Sequence, residues 1–443
     1  MSRLLVGNGI LITRDENNTF LNDGAVYIEE EKIIEVGQTS VLREKYKDAE
    51  YLDAEGMLIM PGYLNIHEHI YSAFARGLSI PGETPKSFLE ILEHTWWNID
   101  RHLLSEQVYY SAMDTYLESI ENGVTFVNDH HASYAAVKGS LFEIAKAAEE
   151  TGVRTCLCYE ISDRDGKKKC VDAINENMEF LAYVKEKNTA MLKGMVGLHA
   201  SFTLSDETLA LCKEKNVLNA GYHVHIAEGL YDEEQCENMY GMSVVERFAK
   251  KGILGADTIA GHCIHISEQD LDIIKDTHTM VVHNPESNMG NAVGAPDVIH
   301  MLDKGILVGL GTDGYTHDMT ESLKVANILQ KHVRGLADRG FSEASELLFE
   351  NNAKIASKIV GEPVGVLKPG ALADLILVNY MSPTPLTKDN INGHLMFGVN
   401  GAMTDTTIIN GKIKMRHRLL CMDEEQIMAK CRESAKSLWK TLC

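Results

Sequence analysis

Basic residues are in the minority: 42 Lys and Arg stand against 64 Asp and Glu, a formal net charge of −22. A field of that sign repels polyanions. Lys167-Lys168-Lys169 is one short run rather than a basic face, so nucleic acid and anionic membrane surfaces are excluded as partners. No apolar run approaches the roughly 18 residues of a membrane-spanning helix, and Met1-Ser2-Arg3-Leu4-Leu5-Val6 is cut short by Gly7 and Asn8, too soon for a leader core. Prolines number only nine in 443 residues, an ordinary globular composition that excludes long disorder. Nine cysteines occur without a CxxC pair, which predicts the reduced thiols of a cytoplasmic protein. Cys156-Leu157-Cys158 reads as strand core. No glycine-rich loop follows the first candidate strand of the central region, which argues against an open nucleotide-binding sheet.

What is present is a change of rhythm at residue 58. Residues 1–57 alternate short apolar runs with turns, as in Ile10-Leu11-Ile12 and Ala25-Val26-Tyr27-Ile28, the pattern of a small β-unit. From 58 to 364 short β-branched runs alternate with stretches of helical period. Eight runs stand out: Ile59 to His67, Val124 to Asn128, Arg154 to Glu160, Met195 to His199, Asn219 to Ile226, Thr258 to His262, Thr279 to His283 and Ile306 to Gly311. Eight strand and helix repeats over this length predict a (β/α)8 TIM barrel. Residues 365–443 return to strands and end in an amphipathic helix, Glu424 to Leu442. Both chain ends are therefore expected to build one small β-sandwich domain beside the barrel.

In such a barrel the chemistry sits at the carboxyl ends of the strands. Six of the eight runs end in or beside histidine: His67 with His69, His130, His199, His225, His262 and His283. Side chains two apart on a strand share a face, so His67 and His69 reach a common point. His223 and His225 also share a face, and spacing alone does not say which of them joins that point. Glu228 follows where the fifth strand gives way to loop, and Asp313 follows the last strand, which closes beside the first. Three histidines and an aspartate suit one Zn²⁺, with Fe²⁺ the alternative. A second ion needs a bridging carboxylate or a modified lysine, and no strand ends in lysine; Lys193 lies at the wrong end of the fourth.

Such an ion lowers the pKa of water from about 15.7 to about 7, which points to hydrolysis. Asp313 is placed to take the water's proton, Glu228 to relay it, and His262 to hydrogen-bond the water or the developing oxyanion. The connection from Ile70 to Leu103 reads as a lid, with Trp96 or Trp97 stacking on a flat ring and at least one of the two packing elsewhere.

Pro61-Gly62-Tyr63-Leu64-Asn65-Ile66-His67-Glu68-His69, His225-Ile226-Ala227-Glu228, Gly261-His262-Cys263-Ile264-His265, His283-Asn284-Pro285-Glu286-Ser287-Asn288 and Leu310-Gly311-Thr312-Asp313-Gly314 together resemble the amidohydrolase superfamily. The likeness is to its branch of cytosine, guanine, adenosine-type and triazine deaminases and chlorohydrolases. Lys368-Pro369-Gly370-Ala371-Leu372-Ala373-Asp374-Leu375 matches that branch's closing β-domain, so the resemblance runs nearly end to end. Ala75-Arg76-Gly77-Leu78, Trp96-Trp97, Asp129-His130-His131-Ala132-Ser133 and Ser382-Pro383-Thr384-Pro385-Leu386 look most like the SsnA group of aminohydrolases.

The resemblance implies His67, His69, His225 and Asp313 as metal ligands, which breaks the tie in favour of His225. It makes Asp313 the base, Glu228 the acid and His262 the partner of the attacking water, and it puts His199 against the substrate together with Glu228 and Trp97. Departures from the pattern are Glu286, expected to face solvent or an amino-bearing substrate, and Tyr315-Thr316-His317, where relatives carry small residues. The resulting expectation is a cytoplasmic, homodimeric, mononuclear metal-dependent deaminase. Its partner is a small heterocyclic substrate, a purine, pyrimidine or triazine that releases ammonia. Hydrolysis of a ring C–Cl bond or of a cyclic amide is the alternative.

Overall fold

The computed structural model describes residues 2–442; Met1 and Cys443 lie outside it. Eight parallel strands, each followed by helix, form the central body. They are β1 (Tyr63–Glu68), β2 (Val124–His131), β3 (Arg154–Tyr159), β4 (Val196–Leu198), β5 (Tyr222–Ile226), β6 (Ile259–His262), β7 (Met280–His283) and β8 (Val308–Leu310). The ring is continuous through β1, β2 and β3, where Leu192–Gly194 pairs with β3, and again from β4 to β8. Two parallel bridges join these arcs, Ile161 with Leu198 on one side and Glu68 with Asp313 on the other. At the second junction the carbonyl of His67 accepts from the amides of both Thr312 and Asp313 at 3.0 Å, closing the barrel at the point where the candidate ligands lie. Gly311 permits this closure, since a Cβ there would stand 2.8 Å from the His67 carbonyl oxygen and 2.6 Å from Asn284.

The expected first strand, Ile59 to His67, is two strands. Leu58–Pro61 pairs antiparallel with Leu375–Val378 in the small sheet, and β1 starts only at Tyr63. The break falls at Gly62, whose amide donates to the carbonyl of Asp374 at 3.2 Å while the next amide donates to Gly123 at 2.8 Å. No side chain fits at residue 62, where a Cβ would lie 2.2 Å from Thr125. The second run also extends beyond the expected Asn128 to His131, carrying His130 and His131 into the barrel.

The small domain is a nine-stranded sheet drawn from both ends of the chain, with Arg3–Ile12, Phe20–Glu29, Lys32–Gln38, Glu50–Asp53 and Leu58–Pro61 from one side and Leu375–Val378, Thr404–Ile409, Lys412–Arg416 and Leu419–Leu420 from the other. Val6, Leu11, Val26, Ile28, Leu375 and Ile408 are buried together on it. Arg154, at the start of β3, fixes barrel to sheet: its guanidinium donates to both oxygens of Asp374, at 2.8 and 2.9 Å, with both side chains fully buried. A paired charge is tolerated there because each partner is hydrogen-bonded on every side, Asp374 also accepting from the Asn410 amide at 2.7 Å. The eight described cysteines are free, seven of them buried. Among the described residues no helix is long and apolar enough to cross a membrane.

Candidate active site and metal centre

The carboxyl ends of β1, β5, β6 and β8 bring together the side chains singled out in the sequence. Ligand atoms of His67, His69 and His225 lie within 4.8 Å of one another, as do those of His67, His262 and Asp313. His69 Nε2 is 3.2 Å from Asp313 Oδ1, His67 Nε2 3.9 Å from the same oxygen, and His262 Nε2 3.5 Å from Asp313 Oδ2.

Each imidazole is aimed by its other nitrogen. His69 Nδ1 donates to the carbonyl of His130 at 2.6 Å, and His225 Nδ1 to the carbonyl of His199 at 3.0 Å. His262 Nδ1 meets Asn288 Oδ1 at 2.8 Å, and His67 Nδ1 meets His223 Nε2 at 2.8 Å. Since a carbonyl only accepts, the contacts of His69, His225 and His262 put their proton on Nδ1 and their lone pair on Nε2. Burial, reinforced by neighbouring imidazoles, holds His67 and His225 well below the usual histidine range, so both are neutral donors. His67 Nε2 and His262 Nε2 are buried without any hydrogen-bond partner. An orphaned pair of imidazole nitrogens beside a carboxylate fits a divalent cation.

His223 is not part of this convergence. Its ring lies between His67 and the Cys158 sulfur, 3.8 Å from the latter, and orients His67. Asp313, His262 and Ala227, which precedes Glu228, hold left-handed backbone at φ 55°, 69° and 46°. Strain of this kind gathers where strand ends must turn side chains toward a site. Asp313 remains below its usual value because His69 and His262 outweigh the effect of burial. Glu228 Oε2 lies 3.6 Å from His262 Nε2, and burial, then the charge of Asp313, pushes its carboxyl well above the ordinary range.

Above the cluster is a cavity bordered by His199, Glu228, Asp313, Tyr315, Trp96 and Trp97, among others. Trp97 packs edge-on to His199 at 6.0 Å, and Trp96 edge-on to Tyr71 at 6.2 Å. Both tryptophans reach the cavity, against the expectation that one of them only packs elsewhere. The segment crosses the mouth and contains a π-turn at Leu92–Trp96, which changes the angle between successive side chains. Asp100 on this wall and Arg164 behind it carry no local sequence signal, whereas Glu160 ends the third expected run. Arg164 Nη2 donates to Asp100 Oδ2 at 2.6 Å and to Glu160 Oε1 at 2.8 Å, tying the lid to the end of β3. Asn288, the orienting partner of His262, lies in a motif already noted for its neighbours.

His317 turns inward, its Nδ1 hydrogen-bonded to the buried Glu68, which anchors the loop carrying Tyr315. Glu286 does not line the cavity and is only partly exposed to solvent. It lies against helix Met319–Arg334, accepts from Ser322 Oγ at 3.0 Å, and is raised by burial to about 7. A carboxyl raised in the folded chain takes up a proton there that the unfolded chain does not hold. Its contribution to stability is full below about pH 4.5 and is lost as the pH rises through about 7, about 2 kcal/mol in all after allowing for partial exposure. Glu286→Gln should therefore melt higher than the wild type at pH 8 and close to it at pH 5. Parallel melting curves against pH for the two proteins would show that this carboxyl is not the titrating group.

A barrel with this donor set at its mouth offers a place for a divalent cation. Residues 58–414 match the model of the amidohydrolase family. The chain is 32% identical over 448 aligned positions to a 5-methylthioadenosine/S-adenosylhomocysteine deaminase of Pelotomaculum thermopropionicum and 31% identical over 444 to a 5'-deoxyadenosine deaminase of Methanosarcina acetivorans, covering 99% of both chains in each case. Its fold superposes with a TM-score of 0.87, at 19% identity and 99% coverage of both chains, on an adenosine deaminase from Xanthomonas campestris solved with bound zinc. The chain belongs to the amidohydrolase family and is an enzyme acting on carbon–nitrogen bonds other than peptide bonds.

Proposed function

We propose that the chain hydrolyses the exocyclic amine of an adenine-type nucleoside, releasing ammonia, with one Zn²⁺ held by His67, His69, His225 and Asp313. The observation that carries this reading is the convergence of His67, His69 and His262 on Asp313, with His225 beside the first two and each Nδ1 engaged, next to the carboxylic acid of Glu228 at the floor of a cavity. Likeness over the whole chain to deaminases of adenosine derivatives supports the ring class.

When bound, the ion supplies Lewis acidity and lowers the pKa of a water molecule. The chain's own residues do the rest. Asp313 accepts the water's proton through Oδ2. His262, held by Asn288, accepts a hydrogen bond from the same water through Nε2 and keeps its oxygen facing the ring. Glu228 gives its proton to the ring nitrogen next to the carbon under attack, passes the proton received from Asp313 to the departing amine, and is reprotonated by the hydroxyl hydrogen left on that carbon as the carbonyl forms. Trp96 and Trp97 cover the ring and exclude bulk water.

The test is ammonia release from adenosine, 5'-deoxyadenosine, 5'-methylthioadenosine, guanine, cytosine and an aminotriazine. The adenine nucleosides are expected to lead the other rings by at least about tenfold in kcat/KM, a preference of about 1.4 kcal/mol. Ammonia from guanine or the triazine alone would replace the ring assignment, and ammonia from none would end the deaminase reading.

A further inference from the structure

The cavity above the histidines opens into a second one, the two sharing Phe88, Leu92, His199, His225 and Glu228. The second has mostly apolar walls, to which Phe202, Leu230, Tyr231 and Val293 contribute. Asp313, Gly314 and Tyr315 border the first cavity alone. A group bound at the histidines therefore has room to extend on one side and meets the loop after β8 on the other.

That loop is tied down on both sides of Tyr315. The amide of Gly314 donates to Asp313 Oδ1 at 2.9 Å, and the amide of Tyr315 to the carbonyl of Thr312 at 3.3 Å. Thr316 Oγ1 donates to Glu321 Oε2 at 2.8 Å, and His317 is hydrogen-bonded to Glu68. The phenol itself lies on Gly290, the last residue of helix Pro285–Gly290, where a Cβ would stand 1.9 Å from the phenol oxygen. Gly290 does not hold left-handed backbone, so what glycine supplies at this position is room for the phenol. Burial, then the charges of Asp313 and Glu228, raise the pKa of Tyr315, which places its ring near the two carboxylates assigned to proton transfer.

Resting on the deaminase reading above, we propose that Tyr315 is a specificity-determining residue, whose ring fills the space beside the departing nitrogen and restricts the enzyme to a primary amine. The amine leaves between Asp313 and Glu228, so an alkyl group on it is directed at the phenol, whereas a substituent at the far side of the ring has the second cavity to enter. The residue acts by its bulk and not by its hydroxyl. One methyl group more or less in a fitted pocket changes kcat/KM by about 10- to 200-fold, enough to separate an amine from its N-methylated form.

The experiment follows the nucleoside product from adenosine and from its analogue methylated on the exocyclic amine, using the metal-loaded enzyme. Water replaces the same nitrogen in both, releasing ammonia from the first and methylamine from the second. The wild type is expected to favour adenosine by about a hundredfold in kcat/KM. Tyr315→Ala is expected to narrow that ratio by about tenfold or more, and Tyr315→Phe to leave it within about threefold of the wild type, each ratio read within one variant so that a general loss of activity cancels. Tyr315 is about half exposed, so removal of its ring spares the core. The proposal is overturned by a wild type that turns over the methylated analogue within about fivefold of adenosine, by a ratio unchanged in Tyr315→Ala, or by a Tyr315→Phe ratio that falls as far as that of Tyr315→Ala. Thermal stabilisation by the two nucleosides gives the same comparison without turnover. Product from neither, with adenosine alone stabilising the wild type and both stabilising Tyr315→Ala, would end the deaminase reading and keep the role of Tyr315. Equal stabilisation of the wild type by both would end that role itself.

Discussion

Asp313→Asn is expected to lower kcat by about a thousandfold or more while the protein melts within a few degrees of the wild type; at about 1.36 kcal/mol per decade this is a loss of at least ~4 kcal/mol in transition-state stabilisation. Two losses combine. The amide accepts no proton from the water, and it replaces a charged oxygen 3.2 Å from His69 Nε2 with a weaker ligand. The fold is spared because asparagine tolerates the left-handed backbone at φ 55° about as well as aspartate does, and because the strand closure runs through the backbone amide of Asp313 rather than its side chain. The variant should also bind the metal ion more weakly, roughly 10- to 100-fold. Activity within about tenfold of the wild type would remove Asp313 from the role of base.

Glu228→Gln is expected to be nearly as inactive, with a loss of about 10²- to 10⁴-fold, but with metal content unchanged. That contrast separates a proton carrier from a ligand. Glu228 lies 3.6 Å from His262 Nε2, and burial, then the charge of Asp313, raises its carboxyl well above the usual carboxylate range. Glutamine fills the same space and donates a hydrogen bond, yet has no proton to give to the ring nitrogen or the leaving amine. The defect should therefore shrink when the leaving group needs less protonation. A 6-chloropurine nucleoside is the direct comparison: an equal loss on the chloride and on the amine would assign Glu228 to binding instead of proton transfer.

The positions of these groups are legible in the sequence to different depths. A strand's period of two puts His67 and His69 on one face, and the same rule places His225, Glu228 and Asp313 at strand ends whose order around a barrel is known in advance. That rule is silent between His223 and His225, because both point the same way. What separates them is a contact between strands 156 residues apart, His223 Nε2 against His67 Nδ1, which no local pattern encodes. The Asp100, Glu160 and Arg164 group is hidden for the same reason, its members coming from the lid, the end of β3 and the loop that follows. Gly62 splits one apolar run into strands of two different sheets, since a hydrophobic run carries no mark of the partner it pairs with. The residue type of Glu286 carries no mark of its surroundings, which are set by the packing of helix Met319–Arg334.

The proposed reaction requires the histidine cluster to hold a divalent ion without which no ammonia is released. The measurement is metal content and ammonia release on the same protein, first as purified, then after chelation, then during stepwise return of Zn²⁺. Activity is expected to be lost on chelation and to rise linearly to a plateau at about one equivalent per chain, with Asp313→Asn showing no such rise. Ammonia release that persists in metal-free protein would contradict it.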